Sequence, residues 1–179
     1  DGNSIGKTKN STTSISDSYV RIGDLVTYKL EINIQKGTST NFVVKDQLPQ
    51  GMKYLKTVSI NGDEDLSKNN LNGYQYQDIS ISYAETPGRE IIWNLGDITN
   101  PTNPTNPADE VDRTFTIVYQ SQVIDAESRS QNSASIDLEN QASISYDGVD
   151  TTRDEIKATK NITLNQPVLD LTISDNMAD

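Results

Sequence analysis

Cysteine and histidine are both missing from this 179-residue chain. The first absence excludes disulfides, thiolate nucleophiles and zinc–thiolate sites; the second removes the commonest general base and metal ligand, and with it most familiar catalytic constellations. Aromatic residues are 6% and hydrophobic residues 33% of the chain, below a typical globular composition, so the apolar layers must be thin. Basic side chains are the minority, 15 against 26 acidic ones, and the formal charge of −11 repels phosphate backbones and anionic lipid headgroups. Nucleic acid is therefore not an expected partner. No run approaches the roughly 20 apolar residues of a membrane helix, so membrane insertion is not expected either. The first residues carry no signal-peptide pattern, and the sequence reads as excised from a longer protein.

What is present points to strands. Apolar positions lean toward Ile, Val and Tyr with Thr between them, a composition that suits a pleated, half-buried surface. Alternation is strictest from Val26 to Ile34, where Val26, Tyr28, Leu30, Ile32 and Ile34 point one way and Thr27, Lys29, Glu31 and Asn33 the other. The same period recurs at Ile79, Ile81 and Tyr83, at Ile91, Trp93 and Leu95, at Phe115, Ile117 and Tyr119, and at Ala142, Ile144 and Tyr146. Asp46 to Gly51 reads as a turn before a strand over Met52 to Ile60, which Asn61-Gly62 ends tightly. The expected fold is all-β, an immunoglobulin-like Greek-key β-sandwich. It should occupy residues 1–165, with the Asn100–Pro107 proline repeat as an exposed insertion and 166–179 as a linker or the first strand of a following repeat.

Three motifs carry a resemblance. Gly23-Asp24-Leu25-Val26-Thr27-Tyr28 precedes Val43 to Tyr54, which contains Asp46-Gln47-Leu48-Pro49-Gln50-Gly51; then come Ile92-Trp93-Asn94-Leu95-Gly96-Asp97 and Asn140-Gln141-Ala142-Ser143-Ile144-Ser145-Tyr146. In this order they resemble bacterial surface repeats, the conserved-repeat domain known as DUF11 and the related fimbrial D2 domain that forms an internal isopeptide bond. The resemblance implies a bacterial cell-surface location and a scaffold role, with neighbouring repeats of the same polypeptide as partners. In the isopeptide-forming members a first-strand lysine is joined to an asparagine on the last strand beside a carboxyl group, which here implies Lys7, Asn140 and Asp46. Parity is compatible with that: Asp46 shares a face with Phe42 and Val44, Asn140 with Ala142 and Ile144, and Lys7 with Ile5. Lys9 has the same parity as Lys7 and is an alternative amine. The plainer reading makes Lys7 a surface lysine and Asn140 a turn residue.

If the bond forms, burial must favour a neutral amine and a neutral carboxylic acid, and amine attack on the carboxamide then expels ammonia. Such a reaction turns over once, so the chain is not expected to be an enzyme. Its function would be that of a stalk or spacer, with the crosslink constraining the unfolded chain by roughly 5 kcal/mol. The competing reading is an adhesive module whose loops, Asp63 to Tyr76 and Asn100 to Asp112, bind a host protein or a glycan. Trp93, Tyr74 and Tyr76 would offer sugar-stacking faces, though Trp93 in its alternating strand reads as core. No cofactor is required, but acidic clusters at Asp63-Glu64-Asp65, at Asp147 with Asp150, and foremost at Asp109, Glu110 and Asp112 supply hard oxygen ligands suited to calcium. Glu31, Glu90 and Asp97 are available as carboxylates for hydrolysis, and nothing in their spacing sets a pair apart.

Overall fold

A computed structural model describes residues 2–12, 19–66, 70–71, 74–75, 79–86, 89–100, 113–124 and 135–165. In chain order the strands are β1 (Ser4–Thr12), β2 (Tyr19–Val20), β3 (Leu25–Ile34), β4 (Gly37–Gln47), β5 (Met52–Ile60), β6 (Asn70–Leu71), β7 (Tyr74–Gln75), β8 (Ser80–Ala84), β9 (Glu90–Asn100), β10 (Arg113–Val123), β11 (Ser135–Ser145) and β12 (Lys157–Asn165). Four strands form one sheet in the order β1-β3-β10-β5, and eight form the other, β2-β12-β11-β4-β9-β7-β6 with β8 also on β9. The architecture is the expected all-β two-sheet sandwich. Among the described residues every strand pairing is antiparallel except the short parallel contact of β2 with β12.

The alternation in β3 does what its period requires: Val26, Tyr28, Leu30, Ile32 and Ile34 are all fully buried. Phe115, Ile117 and Tyr119 of β10 and Ile91, Trp93 and Leu95 of β9 close the core between the sheets. Trp93 is interior, and its indole N–H donates to Thr57 Oγ1 at 2.8 Å, which satisfies its one polar group.

Two turns follow from their residues. Met52 N donates to Pro49 O around Gly51, whose φ of +98° supplies the left-handed third position of a type II turn. Asn61 and Gly62 both have positive φ between the paired Ile60 and Asp63, as a type I′ turn demands.

β4 changes phase midway. Gly37 and Ser39 are its less exposed positions at the start, whereas Phe42, Val44 and Asp46 are buried at its end. The switch occurs at Asn41, in the left-handed region at φ +53° within a register shift against β9. An extra residue at a bulge moves every later side chain to the opposite face. The bulge is fastened: Asn41 N donates to Asp97 Oδ1, and its Nδ2 donates to Asp147 Oδ2.

Beyond Tyr146 the sandwich gains a further strand. Asn140 is not in a turn but in the middle of β11, and β11 is not the last strand of the sandwich, because β12 pairs with it along nearly its full length. A single 3-10 turn, Asp154–Ile156, leads into β12, and Ile162 and Leu164 carry that strand into the core. Residues 166–179 and the proline repeat after Asn100 lie outside the described residues.

Candidate functional site

Sheet register sets the site. On β3, Tyr28 stands directly opposite Tyr119 of β10, and Lys7 of β1 pairs with Leu30, two positions along β3 from Tyr28. Lys7, Tyr28 and Tyr119 therefore form a row on the inner face of one sheet. On the facing sheet, Asp46 of β4 pairs with Ala142 of β11, which places Asn140 diagonally beside Asp46 on the same inner face. Both faces are mostly apolar elsewhere, and these groups meet in a buried layer. Asp46 and Asn140 are fully buried, and the side chains of Lys7 and Asp46 have no exposed surface.

Within that layer Lys7 Nζ donates to Asp46 Oδ2 in a short charge-assisted contact. The same nitrogen lies 5.0 Å from the centre of the Tyr28 ring and 5.6 Å from that of Tyr119, within cation–π range of both. The two rings stack at 5.4 Å, and Trp93 packs against Tyr119 at 5.3 Å. Asn140 Nδ2 donates to Tyr119 Oη at 2.8 Å. Four buried side-chain polar atoms among the described residues lack a well-formed hydrogen bond, and two of them are here: Asp46 Oδ1 and Asn140 Oδ1.

Electrostatics push the lysine and the aspartate toward neutrality. Burial lowers the Lys7 pKa from 10.5 to about 8, although Asp46 pulls it the other way. Burial raises the Asp46 pKa against the opposing charge and hydrogen bond of Lys7 and weaker pulls from Tyr119 and Asn140. Desolvation outweighs attraction on both sides, as expected for an ion pair with few other polar partners in an apolar layer. A neutral Asp46 carries one proton to donate, and the orphaned Asn140 Oδ1 is an acceptor without a donor. The arrangement suits amine attack on a carboxamide: an amine and a carboxyl group that burial shifts toward their neutral forms, and an amide held by its nitrogen.

The other sequence-derived candidates fare differently. Lys9 is half-buried near Tyr19, Val20 and Lys160, and it is Lys7 that reaches Asp46. Asp109, Glu110 and Asp112, the first-choice calcium ligands, lie outside the described residues, as do Tyr76 and the side chain of Tyr74. Asp63 Oδ1 accepts from Asp65 N, and Asp150 Oδ1 accepts from Thr152. Among the described residues no group of three or more such side chains is arranged to hold a metal ion. Glu31 sits beside Lys29 at 2.6 Å and Glu90 beside Lys45 at 3.6 Å, while Asp97 fastens the β4 bulge. Glu31 lies in the opposite sheet from the other two, so these carboxylates do not converge.

Sequence reasoning passed over both tyrosines of the site, Tyr28 and Tyr119. They read only as apolar positions in the β3 and β10 alternations. Their hydroxyls were the available signal, because a tyrosine on an inward face must find a polar partner there.

No family model and no curated protein matches the sequence. Solved structures do. The chain is similar to the full-length major pilin SpaD from Corynebacterium diphtheriae, with 14% identity over 91% of this chain, 33% of the pilin and a TM-score of 0.51. It is similar to BcpA, the major pilin subunit of Bacillus cereus, with 13% identity, 91% and 40% coverage and a TM-score of 0.49. A collagen-binding subdomain of the Enterococcus faecalis surface protein ACE aligns over 92% of this chain and 96% of its own length, with 12% identity and a TM-score of 0.42. The chain thus spans about a third of the length of SpaD. At this level of identity the likeness concerns the fold.

Proposed function

We propose that this chain is a load-bearing stalk module of a bacterial surface or fimbrial protein, locked by an amide bond between Lys7 Nζ and Asn140 Cγ that forms autocatalytically beside Asp46. The observation that carries this reading is the buried cluster itself. A lysine with no exposed side-chain surface, an aspartate and an asparagine share one apolar layer, and the only polar atoms left orphaned there are the two oxygens that a neutral Asp46 would join. As separate groups they burden the fold, because a buried charge pair recovers its desolvation cost poorly. As a secondary amide they would be neutral and half satisfied.

The chemistry follows from the geometry. Neutral Lys7 adds to the carboxamide carbon while the Asp46 acid polarises Oδ1, and loss of ammonia leaves the amide. The bond would tie β1 to β11 across the sandwich, so force applied near the N-terminus would pass through a covalent link rather than through the β1–β3 hydrogen bonds. The likeness of fold to part of a major pilin supports placing the chain in a tandem surface polymer. Tryptic peptide mapping tests the reading: it should yield one branched peptide joining β1 and β11 segments, lighter by one ammonia than their sum. Two separate linear peptides would contradict it.

A further inference from the structure

Amide formation has a second half, the departure of a poor leaving group. An amide nitrogen leaves only after it gains a proton, and a buried layer offers no water to supply one. Asn140 Nδ2 donates to Tyr119 Oη at 2.8 Å, and that hydroxyl is buried at the centre of the cluster. Tyr28, the other tyrosine of the row, also reaches Asn140, but its hydroxyl donates to Met52 Sδ at 3.6 Å and so is shared.

We propose that Tyr119 is a catalytic residue of this crosslinking reaction, the general acid that protonates the departing Nδ2 of Asn140. This rests on the amide-forming reading above. In the resting state Nδ2 donates to Oη, which fixes the plane of the carboxamide. Once Lys7 has added, the same nitrogen becomes pyramidal with a free lone pair, and the direction of the hydrogen bond reverses. As the bond from Cγ to Nδ2 breaks, Nζ loses a proton to Asp46 Oδ2, Asp46 passes its own proton to Tyr119 Oη, and Tyr119 delivers its hydroxyl proton to Nδ2. One amine and one primary amide become one secondary amide and one ammonia; the carboxylic acid and the phenol are restored. Burial and the neighbouring Asp46 raise the Tyr119 pKa well above 10, so the hydroxyl retains its proton until the nitrogen demands it.

Refolding of inclusion-body protein, sampled over time by intact mass, separates the steps. Wild type should lose one ammonia as it folds, and a wild type that keeps its full mass overturns the amide-forming reading and this one with it. Tyr119→Phe preserves the ring stack and should lose ammonia at least a hundredfold more slowly, within the range of a lost general acid. Tyr28→Phe removes the hydroxyl shared with Met52 and should slow the loss clearly less than Tyr119→Phe does. A Tyr119→Phe rate equal to wild type, or a Tyr28→Phe rate as slow as Tyr119→Phe, overturns the assignment to Tyr119 while leaving the amide bond established. Melting of Tyr119→Phe in an uncrosslinkable Lys7→Ala background should match Lys7→Ala alone to within a few degrees; a collapse there would make the slow rate a packing effect and overturn the assignment. Should Tyr119→Phe not refold, wild type in mixed light and heavy water decides. The rate should fall along a bowed curve with deuterium fraction, because several protons move together, and a rate indifferent to deuterium overturns the relay.

Discussion

Lys7 and Asp46 belong to opposite sheets, yet their charged ends meet inside the sandwich, and neither side chain has any exposed surface. A contact of this kind joins the two layers at a point where Asn140 and the tyrosine hydroxyls are the neighbouring polar groups. It also makes the unreacted fold unusually sensitive to protonation.

The pH dependence of an uncrosslinked variant reports that sensitivity. In Asn140→Ala, Lys7 keeps its amine, with a folded pKa near 8 against 10.5 unfolded. Between those values the unfolded chain holds a proton that the folded one has released, so stability rises with pH by up to about 1.4 kcal/mol per unit. Below pH 8 both states are protonated and the burial penalty is fully present. Asp46, whose pKa is raised, works in the other direction: its contribution is present at low pH and is lost as pH rises through its folded value. Urea titrations of Asn140→Ala with and without Lys7→Met, from pH 7 to 10, isolate the lysine. The crosslinked wild type should lack the Lys7 component, since an amide nitrogen does not titrate.

Asp46→Asn should fold and stay uncrosslinked. The substitution keeps shape and burial but removes the acid, so Lys7 loses its proton acceptor and the carboxamide of Asn140 loses a group able to transfer a proton. Intact mass should show no ammonia loss, while far-ultraviolet circular dichroism should remain that of a β-sandwich. Loss of ammonia at the wild-type rate would remove Asp46 from the chemistry.

Asn41 is the residue that turns Asp46 inward, and its backbone is left-handed. A β-branched residue there is strained, whereas glycine is not. Asn41→Val should therefore be less stable than Asn41→Gly by roughly 1–2 kcal/mol in urea denaturation. Both lose the same side-chain bond to Asp147, so the difference isolates the backbone.

How much of this was legible beforehand depended on how many residues of each strand face the core. β3 declared itself through five consecutive inward apolar residues, and parity alone put Asp46, Asn140 and Lys7 on inner faces. β12 gave little away: only Ile162 and Leu164 of its nine residues are buried, and a strand near a sheet edge shows too weak an alternation to stand out. The bulge at Asn41 was equally silent, because a phase change is invisible until the register is known. The pairing of Asn140 with Tyr119 required the fold, since their strands lie in different sheets.

β12 alters the mechanics. The residues from Gln141 to Asn165 lie beyond the Asn140 end of the crosslink and are held to the sandwich by hydrogen bonds and by the core side chains Ala142, Ile144, Ile156, Ile162 and Leu164. Force pulling from the C-terminal side should peel them away while the remainder stays closed. Single-molecule stretching should show one short extension of roughly 80–90 Å and no further unravelling, whereas Lys7→Ala should extend through the whole sandwich.

The central claim is that Lys7 and Asn140 become one covalent unit, and intact mass spectrometry of the purified, denatured chain reads it most directly. The account predicts a wild-type mass one ammonia below that of the sequence, with Lys7→Ala and Asn140→Ala each at its full calculated mass. A wild-type chain at full mass after complete folding would contradict it.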